Sequence, residues 1–138
     1  MGHTNNAVYL TYLEQTRFAH WRSLWGFGSP QLPPDLPGVI LARVECDYKR
    51  PSRYGDVLEV RLRVGEIGRS SFRYEYEIVD EQGRTVLTAK TVQVMYDYTA
   101  GKPVPIPDRI RATIAEILPQ KDAMHFARYR TRYLSLAC

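Results

Sequence analysis

Little in this chain points to metal or disulfide chemistry. It holds two cysteines, Cys46 and Cys138, and three histidines, His3, His20 and His125. Two lone thiols do not build a disulfide framework, and the His and Cys residues are too scattered for a zinc site. A reducing cytoplasm is therefore the expected setting, and Cys46 reads as a small buried hydrophobe in a strand. No apolar run is long enough to span a bilayer. No basic region followed by an apolar stretch marks a signal peptide. Gly65 and Gly68 fall between strands, so no Gly-rich phosphate loop precedes a helix. There is no Ser nucleophile elbow, and there are no internal repeats or low-complexity tracts.

What is present is ordinary for a globular protein. The 138 residues suit one domain with a single core. Hydrophobic residues make up 44% and charged residues 25%, which sets no alarm for disorder or membrane insertion. The net charge of +4 favours polyanions in general: nucleic acid, an anionic membrane or a phosphate-rich cofactor. Part of that charge sits near the C-terminus, where Arg128, Arg130 and Arg132 alternate with Tyr129 and Thr131.

The pattern along the chain predicts helix, strands, helix. Asn5 or Asn6 suits an N-cap, because a short side-chain oxygen accepts from the free N–H groups of a first turn. Apolar and aromatic residues then fill Ala7 to Trp25 over much of the helix circumference, the mark of a helix buried on several sides. Gly26 and Gly28 end it, and Pro30, Pro33, Pro34 and Pro37 make a stiff loop. Four alternating runs follow. Val39 to Tyr48 places Ile40, Ala42, Val44, Cys46 and Tyr48 on one face. Leu58 to Val64, Phe72 to Ile78 and Val86 to Tyr98 are the others, with a hairpin turn at Asp80-Glu81-Gln82-Gly83. Such alternation signals antiparallel sheet with one covered face. Pro107 and Asp108 open a short helix to about Leu118, ended by Pro119. Residues 120–138 show no clear period.

Helix and sheet both carry apolar faces, and the simplest packing wraps the sheet around the N-terminal helix. The expected fold class is α+β. A domain at residues 1–118 and a loosely held C-terminal tail at residues 119–138 are the expected division.

Three motifs add a resemblance. Gly2-His3-x-Asn5-Asn6-Ala7-x-Tyr9 leads on through Tyr12 and Glu14 to Arg17. Asp47-Tyr48-x-Arg50-Pro51 is followed by Gly55-Asp56. Gly68-Arg69-Ser70-Ser71-Phe72 opens a strand. Together, in this order and spacing, they resemble the hotdog-fold acyl-CoA thioesterases of the 4-hydroxybenzoyl-CoA thioesterase-like branch, over about residues 1–118. That resemblance implies a long central helix wrapped by a curved antiparallel sheet. It implies hydrolysis of an acyl-CoA thioester to free acid and CoA, without metal or redox cofactor, by a homodimer or homotetramer.

The resemblance also implies roles for residues. The Asn6 backbone N–H would polarise the thioester carbonyl, because free N–H groups and the positive end of the helix dipole favour a developing oxyanion. Asn5 and Tyr9 would line the substrate site, and His3 would stand beside it in a supporting role. Arg69 with Ser70 and Ser71 would grip CoA phosphates, and Arg50 belongs to a second basic cluster with Lys49 and Arg53. The family's catalytic Asp sits three residues before the glycine matching Gly2, and so does not appear in this chain; the family's first strand also precedes that glycine. A start codon assigned too late is the favoured account of both. Glu14 is the candidate substitute, a carboxylate on the central helix as in a second branch of the superfamily. It lies eight residues past Asn6, roughly 12 Å along the axis. That is too far for one chain to use both, and workable if two helices run antiparallel across a dimer. The plain alternative pairs Glu14 with Arg17 on the helix surface. His20 and His125 read as structural or solvated.

Two other readings compete. A non-catalytic hotdog could bind acyl thioesters or serve in assembly. A nucleic-acid module would use the basic charge and ten tyrosines, but Phe72, Tyr74 and Tyr76 fall on one strand face as a core needs, and no RNA-binding signature appears. Neither nucleic acid nor membrane is the expected partner.

Overall fold

Two-residue alternation lays out four long strands, and the computed structural model, which describes residues 6–25, 37–53, 55–115 and 129–134, contains all four. Helix α1 spans Asn6–Trp25. Strands β1 (Gly38–Tyr48), β2 (Val57–Ile67), β3 (Ser71–Val79) and β4 (Thr85–Asp97) follow, then a short β5 (Lys102–Pro103). Helix α2 (Asp108–Ala115) and strand β6 (Tyr129–Leu134) complete the order. All pairings are antiparallel. The sheet runs β1-β4-β3-β2-β6, with β5 on the end of β4. An antiparallel sheet with two helices fits a hotdog fold. Gly26, Gly28, Pro30, Pro33 and Pro34, as well as Leu118 and Pro119, lie outside the described residues.

The hairpin at Asp80 forms for a local reason. Gly83 takes φ +77°, a left-handed conformation that costs a side chain strain. The Asp80 carboxylate accepts from the backbone N–H groups of Gln82 and Arg84 and from Arg84 Nε. Partial burial works against its charge, but these donors outweigh it and hold Asp80 below the usual carboxylate range.

One face of the sheet is core. Leu58, Val60, Leu62 and Val64 on β2, and Phe72, Tyr74, Tyr76 and Ile78 on β3, are all buried there. Tyr9, Tyr12 and Leu13 of α1 and Ile110 and Ile114 of α2 join the same cluster, so both helices lie on this inner face. The outer face carries ion pairs instead. Arg61 bridges Glu59 and Glu77, and Arg63 meets Glu75.

Strand β1 departs from its sequence pattern. The register between β1 and β4 shifts between Leu41 and Arg43, so Ala42 is the extra residue of a bulge. A one-residue insertion reverses which side chains face inward. Val39 and Leu41 stand opposite the buried Met95 and Gln93, while Val44, Cys46 and Tyr48 stand opposite Thr91, Ala89 and Leu87. Ile40, expected on the inner face, instead pairs with Val94 on the outer one. The period-two pattern could not show this, because Ile40 and Ala42 are as apolar as the residues that replace them.

Strand β6 lies within the segment for which the sequence pattern assigns no element. It pairs with β2 from Val57↔Leu134 to Leu62↔Tyr129 and forms the edge opposite β1. Its Arg/Tyr alternation does have a strand's period of two.

Candidate active site

Helix α1 begins at Asn6, and the N–H groups of its first turn have no partner within the helix by construction. The next turn pins this end. The Tyr9 hydroxyl and Ser52 Oγ lie 2.6 Å apart, both buried. The Tyr9 ring packs edge-on to Tyr12 and at 6.0 Å from Tyr48 at the end of β1. The start of α1 is therefore held on the turn that follows β1. Arg50, on the same segment, is exposed. Its backbone N–H donates to the Val86 carbonyl. Tyr9, expected to meet substrate, is only 1% exposed in the single chain. His3 and Asn5 lie outside the described residues.

Arg69, Ser70 and Ser71 stand at the far end of the sheet. Tyr48 is opposite Leu87 and Ser71 is opposite Val94, and Leu87 to Val94 spans roughly 23 Å at the usual strand rise. Arg69 is exposed, while its carbonyl is occupied by the Ile106 N–H and by Arg111. Within one chain, then, the Asn6, Tyr9 and Arg50 group and the Arg69–Ser71 group lie apart.

Glu14 is exposed on α1. Arg17 turns inward: its Nη1 donates to the Tyr76 hydroxyl at 3.3 Å. That hydroxyl is 2.7 Å from Thr91 Oγ1 on β4, so the flank of α1 carrying Arg17 faces β4. At 3.6 residues per turn Leu10 and Glu14 fall on that same flank. Along β1 the helix side of the sheet carries exposed apolar residues. Leu41, Val44 and Tyr48 point to the helix side of β1 yet are 46%, 40% and 46% exposed. Leu10 and Phe18 on α1 are exposed too. Between them Ala89, Thr91 and Gln93 of β4 are buried, so the exposed apolar strip is confined to β1 and to Leu10 and Phe18 of α1.

Two buried polar residues of β4 are not anticipated from sequence. Thr91 and Gln93 are 1% and 2% exposed on a face otherwise apolar. Their signal was available: two polar residues at inward positions of β4, between Ala89 and Met95. His20, read as structural or solvated, is buried, with Nδ1 2.8 Å from the Tyr74 hydroxyl. Burial lowers its pKa to about 4, so it is neutral near pH 7. Burial also pushes the Tyr74 and Tyr76 hydroxyls up, which keeps them protonated. Among the described residues no group of three or more His, Cys, Asp or Glu side chains could hold a metal ion. No helix among them is long and apolar enough to cross a membrane.

The start of α1 is pinned, and Glu14 is exposed further along the same helix. Residues 1–114 match the model of the thioesterase-like superfamily. The chain belongs to that superfamily. Among its relatives, a protein of Aquifex aeolicus (strain VF5) with a provisional esterase name is 33% identical over 79% of this chain and 82% of its own length. A 1,4-dihydroxy-2-naphthoyl-CoA hydrolase of Synechococcus elongatus is 34% identical, over 56% of this chain and 57% of that protein. A crystal structure of a thioesterase from Thermus thermophilus, complexed with coenzyme A and Zn, superposes with a TM-score of 0.69 at 32% identity. That match covers 84% of this chain and 81% of the other. These thioesterase-like relatives support a thioesterase function of a general kind.

Proposed function

We propose that this protein is an acyl-CoA thioesterase that works as a homodimer in the cytoplasm, with α1 as the central helix of a hotdog fold. The observation that carries the reading is the exposed apolar strip on the helix side of β1, which among the described residues is the last strand on that side of the sheet. Leu41, Val44 and Tyr48 lie exposed on the helix side of that edge, and among the described residues no strand pairs with its outer side, which leaves it to a second copy. A second copy joined there, its α1 antiparallel to the first, brings Glu14 of one subunit toward Asn6 of the other. It also brings the two groups of binding residues, far apart in one chain, toward a shared site. Arg69, Ser70 and Ser71 hold the CoA phosphates, and Arg50 adds positive charge.

In this reading Glu14 takes a proton from water as the water attacks the thioester carbonyl. The Asn6 N–H stabilises the tetrahedral oxyanion. Collapse breaks the C–S bond, and the proton passes from Glu14 to the departing CoA thiolate, leaving free acid and thiol. The CoA ester in the name of the Synechococcus relative supports the substrate class.

The test is thiol release from a panel of aliphatic and aromatic acyl-CoAs by the 138-residue chain and by Glu14→Gln. Loss of a general base lowers kcat by about a hundredfold or more. Turnover left intact in Glu14→Gln removes Glu14 from the chemistry. Silence of the parent chain on every thioester removes the reading.

A further inference from the structure

The loop from β2 to β3 has all its acceptors occupied and some of its donors free. The Gly68 N–H donates to the Ser71 carbonyl at 2.7 Å. The Met95 N–H donates to the Ser70 carbonyl and the Ile106 N–H to the Arg69 carbonyl, both at 2.8 Å. Arg111 of α2 supplies the rest: its Nη2 donates to the Gly68 carbonyl at 2.8 Å and to the Arg69 carbonyl at 3.1 Å. The backbone N–H groups of Arg69 and Ser70, by contrast, have no hydrogen-bond partner among the described residues. A loop whose carbonyls are all satisfied and whose N–H groups are not presents a positive surface to an anion.

Two full charges stand on this same loop. Arg69 belongs to it, and the half-buried Arg111 guanidinium is fixed against its backbone. Among the described residues neither forms an ion pair, whereas Arg43, Arg61, Arg63, Arg73 and Arg84 each meet a carboxylate. Asp108 stands three residues before Arg111 on α2, a spacing at which helical charges pair, yet no ion pair joins them. Arg111 uses only Nη2 on the loop. Its Nε and Nη1 donors have no partner among the described residues.

We infer that Arg111 is a further phosphate-binding residue: its Nη2 holds the Gly68–Arg69 backbone in place, and its remaining N–H groups join Arg69 in gripping a phosphate of CoA. This rests on the thioesterase reading, which puts the CoA phosphates at Arg69, Ser70 and Ser71, and it extends that site from the loop onto α2. A guanidinium suits both tasks. Its N–H donors lie in a fixed fork, so one nitrogen serves the carbonyls while the others face an oxyanion. A phosphate is not a reacting group, so the effect falls on KM rather than on kcat.

The experiment measures kcat and KM on two thioesters of one acyl group, acyl-CoA and acyl-pantetheine, the second of which lacks the phosphates. The parent, Arg111→Met and Arg111→Lys are compared, with circular dichroism as the check on folding. Arg111→Met should raise KM for acyl-CoA by about tenfold, the worth of one charge-assisted hydrogen bond, and leave kcat and the acyl-pantetheine KM as they are. Arg111→Lys keeps the charge but not the fork. It should raise KM less, and on acyl-CoA alone, so it decides the question by itself if Arg111→Met does not fold. The same rise on both thioesters means that Arg111 only supports the fold, and no rise on either means that no phosphate reaches it. Both results overturn the inference and leave the thioesterase reading standing. Calorimetry with CoA itself frees the test from turnover. If no thioester is hydrolysed, the thioesterase reading fails, and CoA binding that weakens about tenfold in Arg111→Met still upholds the phosphate site. No CoA binding by the parent, or equal affinity in parent and variant, removes it.

Discussion

His20 makes the stability of this fold depend on pH in a direction and window that can be worked out. Its ring is buried against the Tyr74 hydroxyl, and burial lowers its pKa from 6.5 to about 4. A base with a depressed folded-state pKa is charged more readily in the unfolded chain. Stability is therefore full above pH 6.5 and falls as pH drops toward 4, while the unfolded state binds one extra proton. At 1.36 kcal/mol per pKa unit, the loss from this group is about 2 kcal/mol at pH 5 and about 3 kcal/mol at pH 4. That is a large part of a typical domain stability of about 5–15 kcal/mol. The assay is urea unfolding at pH 7, 6, 5 and 4.5, on the parent and on His20→Leu. Carboxylates such as Asp80 also destabilise the fold in acid, so the parent's slope alone decides nothing. The difference between the two proteins isolates the imidazole. His20→Leu strands the fully buried Tyr74 hydroxyl and is less stable at pH 7 by about 1–3 kcal/mol. Its deficit must shrink by about 2 kcal/mol between pH 7 and pH 5. Parallel curves for the two proteins would refute the assignment of a neutral, desolvated His20.

Other outcomes follow from the same structure. Val44→Lys places a charge on the helix side of β1, where a second copy is proposed to join; sedimentation should show a dimer for the parent and a monomer for the variant, and the monomer should lose thiol release. Leu58→Ala removes a fully buried side chain from the β2 core and should cost about 2–5 kcal/mol in urea unfolding with the m-value unchanged. Gly83→Ala forces a Cβ onto a residue at φ +77° and should destabilise by about 1 kcal/mol, read as a lower Tm. Asp80→Ala releases the two backbone donors of the same turn and should cost about 1–2 kcal/mol, less when combined with Gly83→Ala because the two share one turn.

The strands of this protein are legible because their information is local. Leu58 to Val64 and Phe72 to Ile78 alternate cleanly, and the structure buries the apolar member of each pair. The two helices are legible for a similar reason, since Asn6 opens α1 and Asp108 opens α2 where the capping and proline signals stand. Strand β1 is legible as a strand and not as a face. A bulge at Ala42 is set by how β1 meets β4, and an alternation among Val39, Ile40, Leu41 and Ala42, all apolar, carries no trace of it. Strand β6 has the right period, but a strand whose alternation is Arg against Tyr has no apolar face to announce which side it covers.

The site divides along the same line. The candidate residues of the proposed site are nominated by motif and chemistry: Asn6 at a helix start, Glu14 on that helix, Arg69 beside two serines. Their arrangement is not, because it depends on sheet register. Tyr9 and Ser52 meet across 43 positions of sequence, and Arg17 and Tyr76 across 59. The clearest case is Gln93. In sequence it is one polar residue in a strand rich in Thr and Val. Only the pairing of β4 with β1 puts it opposite Leu41, on the inner face, where it is buried and bonds Thr91. That placement exists in the register of two strands rather than in any run of the chain.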